Sequence, residues 1–191
     1  MTEWSSAVRI VHIVAAVFMA APLYLLIVVN ERVRFGKAIE ARMDGYMERI
    51  VSGQPVRCHV FLGTLILTGV AFLLLTGQGW GPLVRNWMVT TKVVLTFVVL
   101  AILTYVHTTI QPQIMALVAR SGQEDVTARV WALRRHRKRF TATCLFLVII
   151  IVLLGVRLVV PYSPTLLIVF IALAALFAWR AFNVPVPYGF A

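Results

Sequence analysis

A chain of 191 residues that is 61% hydrophobic and 13% charged carries more apolar surface than a water-soluble domain of this size can hide, so soluble enzymes and carriers are excluded. The formal net charge of +11 would suit nucleic acid. The placement of the charges instead assigns them to the surface of a lipid bilayer, and no nucleic-acid partner is expected.

Five apolar runs follow one another, at residues 8–29, 58–77, 88–111, 140–160 and 163–181. Each approaches the roughly 20 residues that a helix needs to cross a ~30 Å hydrocarbon layer. None shows the period-two alternation of a barrel strand. The predicted fold is an all-α integral membrane bundle of five transmembrane helices. Residues 1–160 form a four-helix core, and residues 161–191 supply an appended fifth helix with a short tail.

The first run exceeds the apolar core of about 7–15 residues found in a secretory signal and lacks a basic leader, so it is read as an anchor. Near its start it holds Arg9 and His12. Between the first and second runs, Ile39, Met43, Tyr46 and Ile50 recur at helical spacing among charges, with Gly53 and Pro55 as a stop. Segment 31–57 therefore reads as an amphipathic helix on the membrane surface. The second run opens with Cys58 and His59 and contains Gly63 and Gly69. Cys58 and Cys144 permit one disulfide and offer no zinc spacing.

A glycine and proline turn with interfacial tryptophans, "GQGWGPLVRNW", leads to the third run, which carries Lys92 early and His107 five residues before Pro112. Segment 113–139 follows, with a turn at Ser121 and Gly122 and then a basic helix. Its "RRHRKR" run, His136 included, is expected to meet lipid headgroups. The fourth run ends at Arg157, and the fifth has no ionisable residue between Tyr162 and Arg180.

All seven acidic residues lie outside the runs, which argues against a relay of buried carboxylates and against an oxygen-lined cation site. Histidine is what remains inside, and an intramembrane ionisable group reads as functional by default. A neutral imidazole is a good axial ligand for haem iron. His59 enters the second helix and His107 leaves the third toward the same surface, so the two can share one iron. His12 lies near the opposite surface, on the order of 20 Å away along the membrane normal. Arg9, Lys92 and Arg157 are expected at its level, an arrangement suited to haem or porphyrin propionates or to a quinone-like oxygen. One haem b or two would be bound, with His12, His59 and His107 as the iron candidates. The bland readings are histidines that only bond a neighbouring helix and cations that snorkel to headgroups. The methionines are scattered, with no Met-x-Met cluster for copper.

With Arg9 and His12 opening the first helix, Met47, Glu48 and Arg49 before the second, Trp87 and Lys92 opening the third, and His107 near its end, the chain resembles the CopD-like superfamily, which includes the HemJ-type protoporphyrinogen oxidases. The resemblance covers about residues 8–160. It implies that His12 and Lys92 are cofactor or substrate residues and that a b-type haem or porphyrin sits in the bundle. His59 and the fifth helix depart from the pattern. A second likeness, of "RIVHIV" and "CHVFLG" to four-helix bacterial cytochromes b, also leads to haem, although the fourth run lacks their further histidines.

The expected function is haem-based electron transfer in a bacterial cytoplasmic membrane, alone as a homo-oligomer or with redox partner subunits. The alternatives are a HemJ-like oxidase, a CopD-like copper transport protein and a structural membrane subunit. Segments 30–57 and 112–139 carry six and seven basic residues, which with Arg180 make fourteen of the eighteen; Arg9, Arg85, Lys92 and Arg157 belong to the other side. The positive-inside rule then puts the N-terminus outside and the C-terminus in the cytoplasm. A reporter fused after Ala191 should be active only if it works in the cytoplasm; activity restricted to an exported reporter would reverse the orientation.

Overall fold

The structure is a computed structural model that describes residues 3–31, 41–77, 79–120 and 124–183. Among these residues every regular element is helical, and five helices are long and apolar enough to cross a membrane. Lipid enforces this choice, because a helix satisfies its backbone hydrogen bonds within one segment.

In chain order the elements are α1 (Glu3–Glu31), α2 (Ala41–Ser52), α3 (Gln54–Leu75), α4 (Gly81–Arg85), α5 (Trp87–Tyr105), α6 (Gln111–Val118), α7 (Glu124–Val159) and α8 (Pro164–Asn183). A π-helical turn, Val106–Ile110, joins α5 to α6 without a break in direction. Segment 31–57 contains a helix, α2, packed on α3 and α6, while its residues 32–40 and the turn at Ser121 and Gly122 lie outside the described residues. The link between α3 and α5 turns at Gly77 and Gly79, whose φ angles of 65° and 55° suit a residue without a Cβ. Asn86 caps α5 by accepting a 3.0 Å hydrogen bond from the Met88 amide.

The helices α1, α3, α5 and α7 pack in a ring in that order, α7 closing back on α1, and α8 packs on α7. The pairing of α1 with α3 is the most intimate and the seam between α3 and α5 is the loosest of the four. Met19, Leu23, Cys58, Leu62, Val99, Leu103, Leu145 and Val148 fill the centre. Cys58 and Cys144 are buried there as free thiols.

The basic segment departs from expectation. Rather than a separate surface helix, α7 runs through 36 residues, about 54 Å at 1.5 Å per residue, and continues past the apolar run. Here α6 packs against its basic half, and α2 packs on α6 and α3 and reaches α7 through Glu48; together they form the basic end of the molecule. Arg134, Arg137 and Lys138 are 5%, 1% and 2% exposed, so these side chains meet protein rather than headgroups. The reason is register. Val130, Arg134, Arg137, Thr141, Leu145 and Val148 are all buried and recur at spacings of three or four residues, which continues the apolar stripe of the span into the charged run.

Glu48 of α2 receives these arginines. Arg137 grips its carboxylate with both terminal nitrogens, at 2.5 and 3.2 Å, and Arg134 Nε donates at 2.8 Å. Gln111 of α6 donates to the same carboxylate at 3.2 Å and accepts from Arg137 at 2.8 Å. Glu48 is itself only 3% exposed. Breaking a buried pair by removing one partner strands the other charge and costs ~3–5 kcal/mol. Glu48→Ala should therefore lower the thermal midpoint of the detergent-solubilised protein sharply, with Glu48→Gln falling between it and the parent; a parental midpoint for Glu48→Ala would show that the network contributes nothing.

Candidate functional site

Two clusters of polar side chains lie along the seams of the ring, at different levels. The first, toward the basic end, is built by α3 and by the junction of α5 with α6. Pro55 at the start of α3 leaves its carbonyl facing His59 one turn later, and His59 Nδ1 lies 2.7 Å from that oxygen. A carbonyl only accepts, so Nδ1 carries the proton and Nε2 keeps its lone pair. Nε2 faces α5, where the Thr104 hydroxyl donates to it at 3.1 Å.

His107 sits in the π-turn. Pro112 has no amide hydrogen and its ring crowds the carbonyl four residues back; the extra residue of the π-turn relieves both and re-aims the side chains that it carries. The imidazoles of His107 and His59 stand with ring centroids 6.0 Å apart at an interplanar angle of 54°. His107 Nδ1 is buried with no hydrogen-bond partner in the structure. Gly63, one turn beyond His59 on the same face of α3, has open space where a Cβ would project. Arg57, two residues before His59, is exposed at the same end.

The second cluster lies toward the opposite end, where α1, α3, α5 and α7 contribute one residue each or more. His12 Nδ1 is 2.8 Å from Thr68 Oγ1. The Thr68 hydroxyl spends its single proton on the Thr64 carbonyl at 2.6 Å, so it can only accept from His12. His12 is thereby held as the Nδ1-protonated tautomer, with Nε2 as the basic nitrogen. Gly69 lies beside the imidazole, where a Cβ would meet His12 Cε1 at an ordinary contact distance of 3.7 Å. Lys92 is half-buried and turned onto α7, where a Cβ at Gly155 would come within 3.2 Å of its Nζ. The Lys92 ammonium is within electrostatic range of the His12 ring. Arg9 lies over the Phe72 ring at 5.2 Å. Arg157, two residues beyond Gly155 and so roughly 200° round α7, makes no hydrogen bond or ion pair with this group among the described residues.

The levels can be read along α3 and α5. Thr68 is nine residues from His59 and Lys92 fifteen from His107, or about 14 Å and about 22 Å along the helix axes. The two counts bracket the separation on the order of 20 Å expected from the sequence. His136 is exposed, away from both clusters.

The partners Thr68, Thr104 and Gly155 were not singled out from the sequence. Thr68 and Thr104 are ordinary helix threonines in composition, and only the packing of α1 and α5 on α3 reveals them. Gly155 gave no signal beyond its presence in an apolar run. The arginines of the Glu48 network did carry one, the spacing of positions 130, 134, 137, 141, 145 and 148.

Two imidazoles can hold a metal between them, whereas among the described residues no group of three or more His, Cys, Asp or Glu side chains converges. The second cluster offers a basic nitrogen beside a cation. Gly155→Leu should displace Lys92 and expose its amine to labelling from the lipid side, while Gly69→Ala, whose Cβ finds ordinary contact, should leave the bundle's thermal midpoint within a few degrees; equal labelling of Lys92 in the parent and in Gly155→Leu would remove the role given to that glycine. Comparison with family models, with curated proteins and with solved structures found no match to this chain.

Proposed function

We propose that the chain is a membrane electron-transfer protein that binds one b-type haem between His59 and His107. The observation that carries this reading is the facing pair of imidazoles at 6.0 Å. A ligating nitrogen stands about 2 Å from a metal, so two rings on opposite sides of one ion have centroids roughly 6 Å apart. Such a pair on adjacent helices is the ligand set of a six-coordinate haem, which supplies one-electron exchange when bound.

The surrounding residues fit the group. The Pro55 carbonyl fixes the His59 tautomer with Nε2 available, the arrangement that orients a metal-bound imidazole. The bond from Thr104 to Nε2 is the contact that ligation replaces. The buried Nδ1 of His107 is an unmatched polar atom at the same place, and such an atom costs free energy unless something satisfies it. The loose seam between α3 and α5, with empty space beside Gly63, is where a flat macrocycle has the least packing to displace. The setting is a bacterial cytoplasmic membrane, with a second redox protein or a second copy as the electron partner.

Protein purified in detergent from haem-replete cells should show the reduced absorption bands of a low-spin b-type haem. His59→Ala and His107→Ala should each convert that spectrum to a five-coordinate form or abolish it, and His12→Ala should leave it intact. Protein without haem, or a haem spectrum lost only in His12→Ala, would overturn the assignment of the pair.

A further inference from the structure

The cluster at the other end is chemically unlike the histidine pair. It contains one imidazole whose tautomer is set, the Lys92 ammonium and the Arg9 guanidinium over the Phe72 ring, and no carboxylate among the described side chains of α1, α3, α5 and α7 at that level. The chain of hydrogen bonds from His12 to Thr68 to the Thr64 carbonyl leaves His12 Nε2 as a proton acceptor. Lys92 brings a positive charge that no ion pair among the described residues neutralises. A proton acceptor beside a fixed cation is the arrangement that binds a weakly acidic hydroxyl, since the nitrogen takes the hydrogen bond and the cation stabilises negative charge on the oxygen.

The location narrows the ligand. His12, Thr68 and Lys92 lie inside spans of 23, 28 and 32 residues, so a ligand must come through apolar surroundings. A free phosphate or carboxylate is ill suited to that route, because a charged group without a partner is expensive there. A neutral, lipid-soluble aromatic ring bearing a hydroxyl satisfies both the route and the site.

We infer that His12, Thr68 and Lys92 form a binding site for the headgroup of a membrane hydroquinone, its hydroxyl on His12 Nε2 and its oxygen facing the Lys92 ammonium. Thr68 is a positioning residue that holds the imidazole in the accepting tautomer. Gly155 is part of the site, because the absence of a Cβ there lets Lys92 lie against α7. Binding at this end requires nothing of the histidine pair, so the inference stands apart from the haem reading.

The test uses the full chain in detergent and a redox-inert quinol mimic, 2-heptyl-4-hydroxyquinoline N-oxide, with binding read from quenching of the mimic's fluorescence and confirmed by competition with a short-tailed ubiquinol. The parent should bind saturably. Lys92→Met and His12→Phe should each weaken binding at least tenfold, and Thr68→Val several-fold. His136→Ala, exposed and away from both clusters, should bind as the parent does. Lys92→Met removes a charge from the bundle interior and keeps a chain of similar length, so a folding defect is not its expected effect; a parental thermal midpoint alongside lost binding supports the site directly. Failure of the parent to bind, or binding indifferent to both Lys92 and His12, overturns the inference. So does preferential, Lys92-dependent binding of protoporphyrin IX in a parallel titration, which would make the ligand a tetrapyrrole. A protein that binds the mimic but shows no haem spectrum would retain this site and sink only the assignment of His59 and His107.

Discussion

One carboxylate organises the basic end of the molecule. Glu48 lies where α2, α6 and α7 meet and is bonded by Arg134, Arg137 and Gln111. Its charge lets two arginines of α7 remain buried, and their burial in turn draws α2 against the bundle rather than along the membrane surface. Through Gln111 the same network grips α6, which is continuous with α5 across the π-turn. His107 stands four residues before Gln111. The depth and roll of that imidazole are therefore tied to an ion pair outside the apolar run, and the facing of His107 with His59 depends on it. An apolar replacement of similar shape could match the stability of such a pair, but a bidentate arginine fixes direction as well as distance.

Lipid imposes the second constraint, since a hydroxyl or imidazole inside a span must find its partner in protein. The threonines meet this by donating to carbonyls one turn back, as Thr64, Thr68, Thr96 and Thr108 do. A threonine so engaged has no proton left and becomes a pure acceptor. That is how Thr68 sets the tautomer of His12, while Thr104, with its proton directed to His59, has the opposite role. The same helix chemistry thus gives two histidines with defined basic nitrogens at two levels, one facing a second imidazole and one facing an ammonium.

The spans were legible because each is a run of about twenty apolar residues, and the common depth of His59 and His107 followed from counting residues along antiparallel helices. Other features were hidden for identifiable reasons. Pro112 marks a helix boundary by its local preference, yet the π-turn carries the helix through it to Val118. The run "RRHRKR" has the composition of a headgroup-binding segment, and composition masks the fact that Arg134 and Arg137 share a face with Val130 and Thr141. Reading the periodicity through the charges, instead of stopping where they begin, would have recovered this. Lys92 has the sequence of a snorkelling lysine; it turns inward because Gly155 on α7 has no side chain, a relation between residues 63 positions apart that no local pattern encodes. Arg157 belongs to the same level by counting and to another face of α7 by rotation.

The pairing of His59 with His107 on one metal is tested most directly by low-temperature electron paramagnetic resonance of the ferric, detergent-purified protein. Two imidazoles on one haem iron produce a low-spin ferric signal, and that is the expected spectrum of the parent. A high-spin signal alone, or a sample free of haem iron, would contradict the pairing.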